Sequence, residues 1–333
     1  MYLETETAEE SVFVVRAVNV IVSCTNRKRF ASVPETCVRS VGGDNLGTRL
    51  ALWKRNLRSA ATTGHRADCV YMGDHWSVVR TIPEVASATG LRVQLWICSA
   101  GYGLIRPETE IKAYQATFAR GEDDYIGAGL RQDEHTLHRW WEGVCSYRFP
   151  MQSQAPRTIA GIAAAFPKTP ILVALSADYL NAVAEDLSRV LVRPYFHDHL
   201  AIISCGTPRP NARWKHHLLP CDASVACTLG GALTSLNARI ARYLVQSVMN
   251  TELTIHSLTT VANSMNQSGG TAVPSRIPQS DTNVAAFIRN GLAQSPGTSK
   301  TRLLQDFRRS GQACEQKRFG AIYARVRDER LGV

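Results

Sequence analysis

Leu91-Arg-Val-Gln-Leu-Trp-Ile-Cys98 runs directly into Ser99-Ala-Gly-Tyr-Gly-Leu-Ile-Arg-Pro-Glu-Thr-Glu-Ile-Lys-Ala-Tyr114. The first eight residues suit a strand buried on both faces, as in a parallel sheet. Gly101 and Gly103 then open backbone angles closed to other residues. The loop gathers Ser99, Tyr102, Arg106, Glu108, Glu110, Lys112 and Tyr114. In open α/β sheets ligands sit beyond the carboxyl ends of the strands. A glycine-hinged, charge-dense loop at that place is a candidate site; the ordinary alternative is a strand exit with solvated charges.

Working outward, three more runs read as buried strands: Val12 to Ser23, Pro170 to Ser176 and Leu200 to Cys205. Cys69 to Trp76 reads as a short strand entering a loop, and His216 to Pro220 as a last short strand. Between them lie helical patterns at 47–61, 77–89 (interrupted by Pro83), 130–147, 158–166, 177–191 and 230–248. Strands alternating with helices predict an α/β domain on a largely parallel or mixed sheet flanked by helices. The domain is expected over 11–263, after a flexible acidic lead at 1–10. The Ser, Gly, Pro and Asn content of 264–283 predicts a linker. A small helical unit over 284–333 follows, with helices at 284–293, 299–310 and 316–327.

The chain has 333 residues and a net charge of +10, which favours a polyanionic partner such as nucleic acid. That charge concentrates at the end. From Phe287 to Arg327 nine Lys and Arg stand against Asp306 and Glu315. Three short helices with basic residues between Phe307, Phe319 and Tyr323 resemble a helix-turn-helix DNA binder. Lys300, Arg302, Arg308, Arg309, Lys317, Arg318 and Arg325 are the residues expected on phosphates; the alternative is a helical cap with a solvated basic face. Nine scattered cysteines without a CxxC pair, an acidic N-terminus and no long apolar run predict reduced thiols in the cytoplasm and no membrane span.

Cys24 follows the first strand beside Thr25, Arg27 and Lys28. Nearby cations make a thiol nucleophilic, whereas most cysteines are inert core residues. Asp74 and His75 follow another short strand, where neighbours along an extended chain point oppositely, so at most one faces a given site. His197, His199, Cys205, His216, His217, Cys221 and Cys227 fit no common zinc spacing, and no metal or cofactor is expected. Phosphate-binding, dinucleotide and nucleophile-elbow signatures are absent from the sequence.

Tyr102-Gly-Leu-Ile-Arg-Pro107 with Tyr114 beyond it resembles the signature of the YaaA family, although Ala113 stands where that family carries a proline. The Ser-Ala-x-Tyr-Gly-Leu form, with Ser23-Cys24-Thr25 and the basic residues 27–29 upstream, is similar to a YaaA-related branch. That branch includes the DpdC-like proteins of bacterial 7-deazaguanine DNA-modification systems. The resemblance spans about 18–245, with specific motifs near 23–28, 71–76 and 99–114. It implies hydration of the nitrile of 7-cyano-7-deazaguanine in DNA to 7-amido-7-deazaguanine, with DNA and other proteins of the system as partners. Under it, Cys24 adds to the nitrile, or water attacks instead. Lys28, Arg106 or Lys112 steadies the developing nitrogen anion, and Asp74 or Glu108 moves protons. Ser23, Thr25, Ser99, Tyr102 and Tyr114 complete the expected substrate contacts. The other side of the family implies a non-catalytic DNA-binding protein of stress protection.

Overall fold

The computed structural model describes residues 16–131, 133, 135–149, 154–205, 213–248, 251–268 and 276–331. The acidic lead and the start of the expected first strand lie outside the described residues. The chain divides into two compact units, 1–270 and 271–333.

The first unit is α/β. Its strands are β1 Arg16–Ser23, β2 Gly64–Arg66, β3 Leu91–Ser99, β4 Gly103–Ile105, β5 Glu110–Lys112, β6 Ile171–Ala174 and β7 Leu200–Ile203. Five form one sheet in the order β4-β3-β1-β6-β7, and β2 pairs with β5. The sheet is mixed: β3, β1, β6 and β7 are parallel and β4 is antiparallel. β1 is central because Val18, Val20, Ile21 and Val22 are all buried, each contributing about 2 kcal/mol by leaving water. The one polar residue among them, Asn19, accepts from Trp96 Nε1 at 2.9 Å.

Helices pack in two groups. One joins Leu46–Ser59, Thr136–Ser146, Ile159–Ala165 and Ala177–Val190; the other joins Asp74–Val79, Ile82–Ser87, Leu236–Ser247 and Ile255–Ser268. Trp53, Trp76, Trp96, Trp140, Trp141 and Trp214 are all fully buried here. Two buried ions tie the first group together. The Asp186 carboxylate accepts from Ile159 N (2.7 Å), Ala160 N (2.9 Å) and Trp141 Nε1 (3.2 Å). The Arg157 guanidinium donates to the carbonyls of Leu104 (2.9 Å), Val144 (3.1 Å), Tyr147 (3.4 Å) and Tyr102.

Local departures from the sequence expectations have physical causes. Residues 67–76 add no strand to the sheet. Their backbone bonds to the exit of β1 through Arg29 N to Val70 O and Met72 N to Arg27 O, and a helix, Asp74–Val79, begins after Gly73 at φ +98°. Pro83 starts the second helix of the 77–89 stretch, because a proline in a first turn removes no helical hydrogen bond. At 216–220 a short helix, Arg213–His217, replaces the strand and leaves only a bridge from Leu218 to Ile202. Parts of the expected linker segment carry regular structure. Residues 264–268 finish a helix, and Ile277–Pro278 already pairs with Gln312–Ala313 in the second unit.

The second unit holds helices Asp281–Gln294, Lys300–Arg309 and Gln316–Leu331. Ser280 and Ser299 cap the first two through Asn283 N and Arg302 N. Its core is Val284, Ile288, Leu292, Leu303, Leu304, Phe307, Phe319, Ile322 and Val326, with Ala285 and Cys314.

The turn from β3 to β4 uses its two glycines differently. Gly103 has φ +76°, which only glycine adopts freely. A Cβ on Gly101 would lie 2.5 Å from the Tyr114 ring. Gly101→Ala is therefore expected to cost about 1–3 kcal/mol through displacement of that ring. Gly42→Ala, with nothing within 4 Å of its Cβ, should stay within about 0.5 kcal/mol. Denaturant midpoints of the two variants check the difference, and equal midpoints would refute the packing argument.

Candidate functional site

Going from β1, one connection leads to β3 on one side and the later strands lie on the other, through β6 to β7. The crevice outside the carboxyl ends of β1 and β6 is the topological switch point, where open α/β sheets hold ligands. Cys24 leaves β1 there, with its N–H bonded to Cys98 O at 3.0 Å. Tyr179 arrives from the first turn of helix Ala177–Val190, which follows β6. Cys24 Sγ and Tyr179 Oη are 3.1 Å apart and hydrogen-bonded.

The exit of β1 folds back over this crevice. Thr25 Oγ1 donates to Arg27 O (3.0 Å) and Met72 O (3.3 Å), and Lys28 bridges to Tyr71. Lys28 Nζ thereby donates to Thr25 O at 2.8 Å and stands 4.4 Å from the Tyr114 ring centroid and 5.8 Å from that of Tyr71. Tyr71 Oη meets Tyr114 Oη at 2.9 Å, and Tyr114 Oη meets Ser99 Oγ at 2.6 Å. Ser99 Oγ also accepts from Tyr102 N at 3.1 Å, which joins the glycine turn to the chamber. The rings of Tyr102 and Tyr114 are 5.2 Å apart, edge to face.

This surrounding sets the protonation states. Burial, reinforced by the charge of a Cys24 thiolate, pushes the phenols of Tyr71, Tyr114 and Tyr179 well above the ordinary tyrosine range. They remain O–H donors. Burial lowers Lys28 to about 8, against the opposing pull of Cys24, Asp124 and Cys37. A thiol ringed by phenols, beside an amine that titrates near pH 8, has the parts for nucleophilic addition with proton transfer. His75, lowered to about 4 chiefly by burial, is neutral and bonds through Nε2 to Ser23 O at 3.1 Å. It fixes the end of β1.

Cys24, Thr25, Lys28, Ser99, Tyr102 and Tyr114 thus lie together, with Ser23 present through its carbonyl. The expected carboxylates do not join them. Asp74 is on a helix, where its carboxylate takes the Ser235 hydroxyl at 2.5 Å and Arg239 Nη2 at 2.8 Å. Those two partners hold it below the usual carboxylate range, as a fixed anion joining helix Asp74–Val79 to the segment before Leu236. Glu108 pairs with Arg106 at 3.0 Å, and the Arg106 guanidinium lies 4.7 Å over Trp96. Lys112 Nζ donates to the carbonyls of Arg58 (3.0 Å) and Ala60 (2.6 Å) at a helix C-terminus. Asp74, Glu108, Arg106 and Lys112 therefore act in local packing.

Tyr71 and Tyr179 escaped the sequence reading. Position after a predicted strand was the available signal for Tyr179, and Tyr71 lay inside the quoted 71–76 segment. Among the described residues no group of three His, Cys, Asp or Glu can hold a metal. His197 and His217 bond instead to the carbonyls of Leu191 and Leu200; the side chain of Cys227 lies outside the described residues.

In the second unit the aromatic residues are structural: Phe307 and Phe319 are fully buried, and Tyr323 Oη donates to Thr298 O. Asp306 pairs with Arg302 and Arg309, and Asp281 with Arg318. Arg308 donates to Cys314 O. Lys300 and Arg325 are exposed, and the side chain of Lys317 lies outside the described residues. Exposed ion pairs of this kind contribute only about 0–1 kcal/mol. No helix among the described residues is long and apolar enough to cross a membrane.

Compared with protein-family models, curated proteins and solved structures, the chain matches none. Segments 23–28, 71–76 and 99–114 contribute Cys24, Lys28, Tyr71, Ser99, Tyr102 and Tyr114 to this site.

The lowered Lys28 pKa has a thermodynamic signature. Between about 8 and 10.5 the unfolded chain holds a lysine proton that the folded chain has released. This lysine's contribution to stability therefore rises with pH across the window and is lost as pH falls through about 8. Lys28→Met should be most stabilising, relative to wild type, below that value, with the gap closing towards 10.5. Unfolding titrations across the window check this; a constant gap would show an unshifted lysine.

Proposed function

We propose that the chain hydrates the nitrile of 7-cyano-7-deazaguanine in DNA to the 7-amido base. The observation that carries this reading is the Cys24 thiol held by Tyr179 beside Lys28 at the switch point of the sheet. A nitrile carbon takes a thiol nucleophile, and its nitrogen needs a proton as negative charge develops. The thiol proton passes to the Lys28 amine, Sγ bonds to the nitrile carbon, and the ammonium so formed protonates the nitrogen, leaving a thioimidate. Water then adds to that carbon, with Lys28 carrying its proton to the nitrogen. The C–S bond breaks as the hydroxyl proton returns to sulfur, and the amide is released. One water is consumed and no electron is transferred.

Phenols rather than carboxylates surround the reacting atoms in this scheme. Tyr179 orients the thiol, and Tyr71 and Tyr114 supply neutral donors. Trp76 Nε1, on a buried indole stacked 5.0 Å from Tyr71, has no hydrogen-bond partner among the described residues. An unmet buried donor costs about 1–3 kcal/mol, which supports a bound polar group nearby. The base has to leave its stack to reach the site, and the exposed cations of the second unit suit DNA phosphates.

DNA binding without chemistry is the second reading, favoured by the burial of Cys24, a residue only 5% exposed. Incubation with DNA containing the cyano base, followed by digestion and nucleoside mass spectrometry, separates the two. The first reading expects the base to gain the mass of one water, Cys24→Ala to abolish the gain and Lys28→Met to lower kcat about 10²–10⁴-fold. The rate should rise as pH passes about 8, where the amine becomes free. Retained DNA of unchanged mass would leave binding alone.

A further inference from the structure

Beside Tyr102, on the first unit, is a concavity that the chemistry above does not use. It encloses about 160 Å³ with Leu57, Tyr102, Ile111 and Phe149 as its apolar lining. Each of those four side chains is buried. An apolar cavity of about 150 Å³ is large enough to take benzene, so this one fits a single planar ring. Arg58 lies on its rim, with Glu110 as the opposing charge and Lys112 committed to helix carbonyls.

The rim continues into a cationic face on helix Leu46–Ser59. Lys54, Arg55 and Arg58 are spaced at i, i+1 and i+4, which places them on one side of the helix. Arg58 Cζ stands 5.1 Å and Lys54 Nζ 5.5 Å from the Tyr147 ring centroid. Arg55 is exposed. A row of rings leads inward from this face. Tyr147 and Phe149 are 4.8 Å apart, Phe149 and Tyr102 4.7 Å, and Tyr102 and Tyr114 5.2 Å. Tyr102 is thus shared between the concavity and the Cys24 chamber.

We propose that this face docks single-stranded DNA: the concavity holds one unstacked base next to the reacting one, and Lys54, Arg55 and Arg58 hold its phosphates. Cations tracking a backbone beside aromatic rings are how proteins hold unpaired strands without reading their sequence. A duplex keeps its bases stacked and offers no ring to the concavity. The inference rests on DNA as the substrate and adds where its strand lies.

The test measures binding of the full chain to an unmodified, labelled oligothymidylate by fluorescence anisotropy over a range of salt. The triple variant Lys54→Ala/Arg55→Ala/Arg58→Ala should lower the slope of log K against log salt by about 2, at about 0.7 per lost phosphate contact. Tyr147→Ala should weaken binding about tenfold through lost stacking, with the slope unchanged. Arg55→Ala alone, at an exposed position, should lower the slope without altering the melting temperature, which keeps the test independent of folding. Affinity and slope unchanged in the triple variant would overturn the proposal, as would tighter binding of a duplex that Tyr147→Ala leaves intact. Because the probe carries no nitrile, a wild type that hydrates the cyano base while the triple variant binds normally sinks this inference alone. Weakened variants with no hydration would sink only the chemistry.

Discussion

A buried guanidinium bonded to backbone carbonyls holds the centre of this fold. Arg157 donates to the carbonyls of Tyr102, Leu104, Val144 and Tyr147. Burial lowers its pKa to about 10, so it stays charged at physiological pH, and carbonyl dipoles replace its hydration. Those carbonyls come from the β3-β4 turn (Tyr102), from β4 (Leu104) and from the end of helix Thr136–Ser146 and the residue after it (Val144, Tyr147). Removing the cation would leave several buried acceptors open at once, each carrying a desolvation penalty of about 1–3 kcal/mol. The same residue thereby fixes Tyr102, whose ring packs against Tyr114, and Tyr147, whose ring lies beside the Lys54 and Arg58 cations.

The chamber is built by layering constraints on that frame. Gly101 has no Cβ, so Tyr114 can lie against the turn and reach Ser99. Ser99 in turn caps the backbone of Tyr102, and the Tyr114 and Tyr71 hydroxyls share a hydrogen bond. Lys28 is drawn over these rings by the bridge between its own backbone and Tyr71. Burial then makes the lysine a base near neutral pH while keeping the phenols protonated. One set of packing contacts therefore assigns opposite roles to two kinds of weak acid.

Much of the sheet was legible because β1, β3, β6 and β7 are dense in apolar and β-branched residues bounded by polar turns. β2, β4 and β5 were not, since three residues are too few to show a period. Cys24, Lys28 and Tyr114 could be located because they follow strand ends, where parallel sheets gather ligands. Asp74 was misplaced because 69–76 looks extended, whereas Gly73 turns the chain into a helix and Arg239, far along the chain, captures the carboxylate. Tyr71, Tyr179 and Arg157 earn their positions through contacts made at long sequence separation, for which no local pattern exists. In the second unit, interleaved aromatic and basic residues proved to be two faces of one helical packing, apolar inward and cationic outward.

All six tryptophans belong to the first unit and every one is buried there, while 271–333 contains none. Indole emission consequently reports the melting of the sheet alone, and the helices of the basic unit contribute to far-ultraviolet dichroism without contributing to that emission. The two optical signals divide the molecule along its own boundary, so the cooperativity of its parts can be read without cutting the chain.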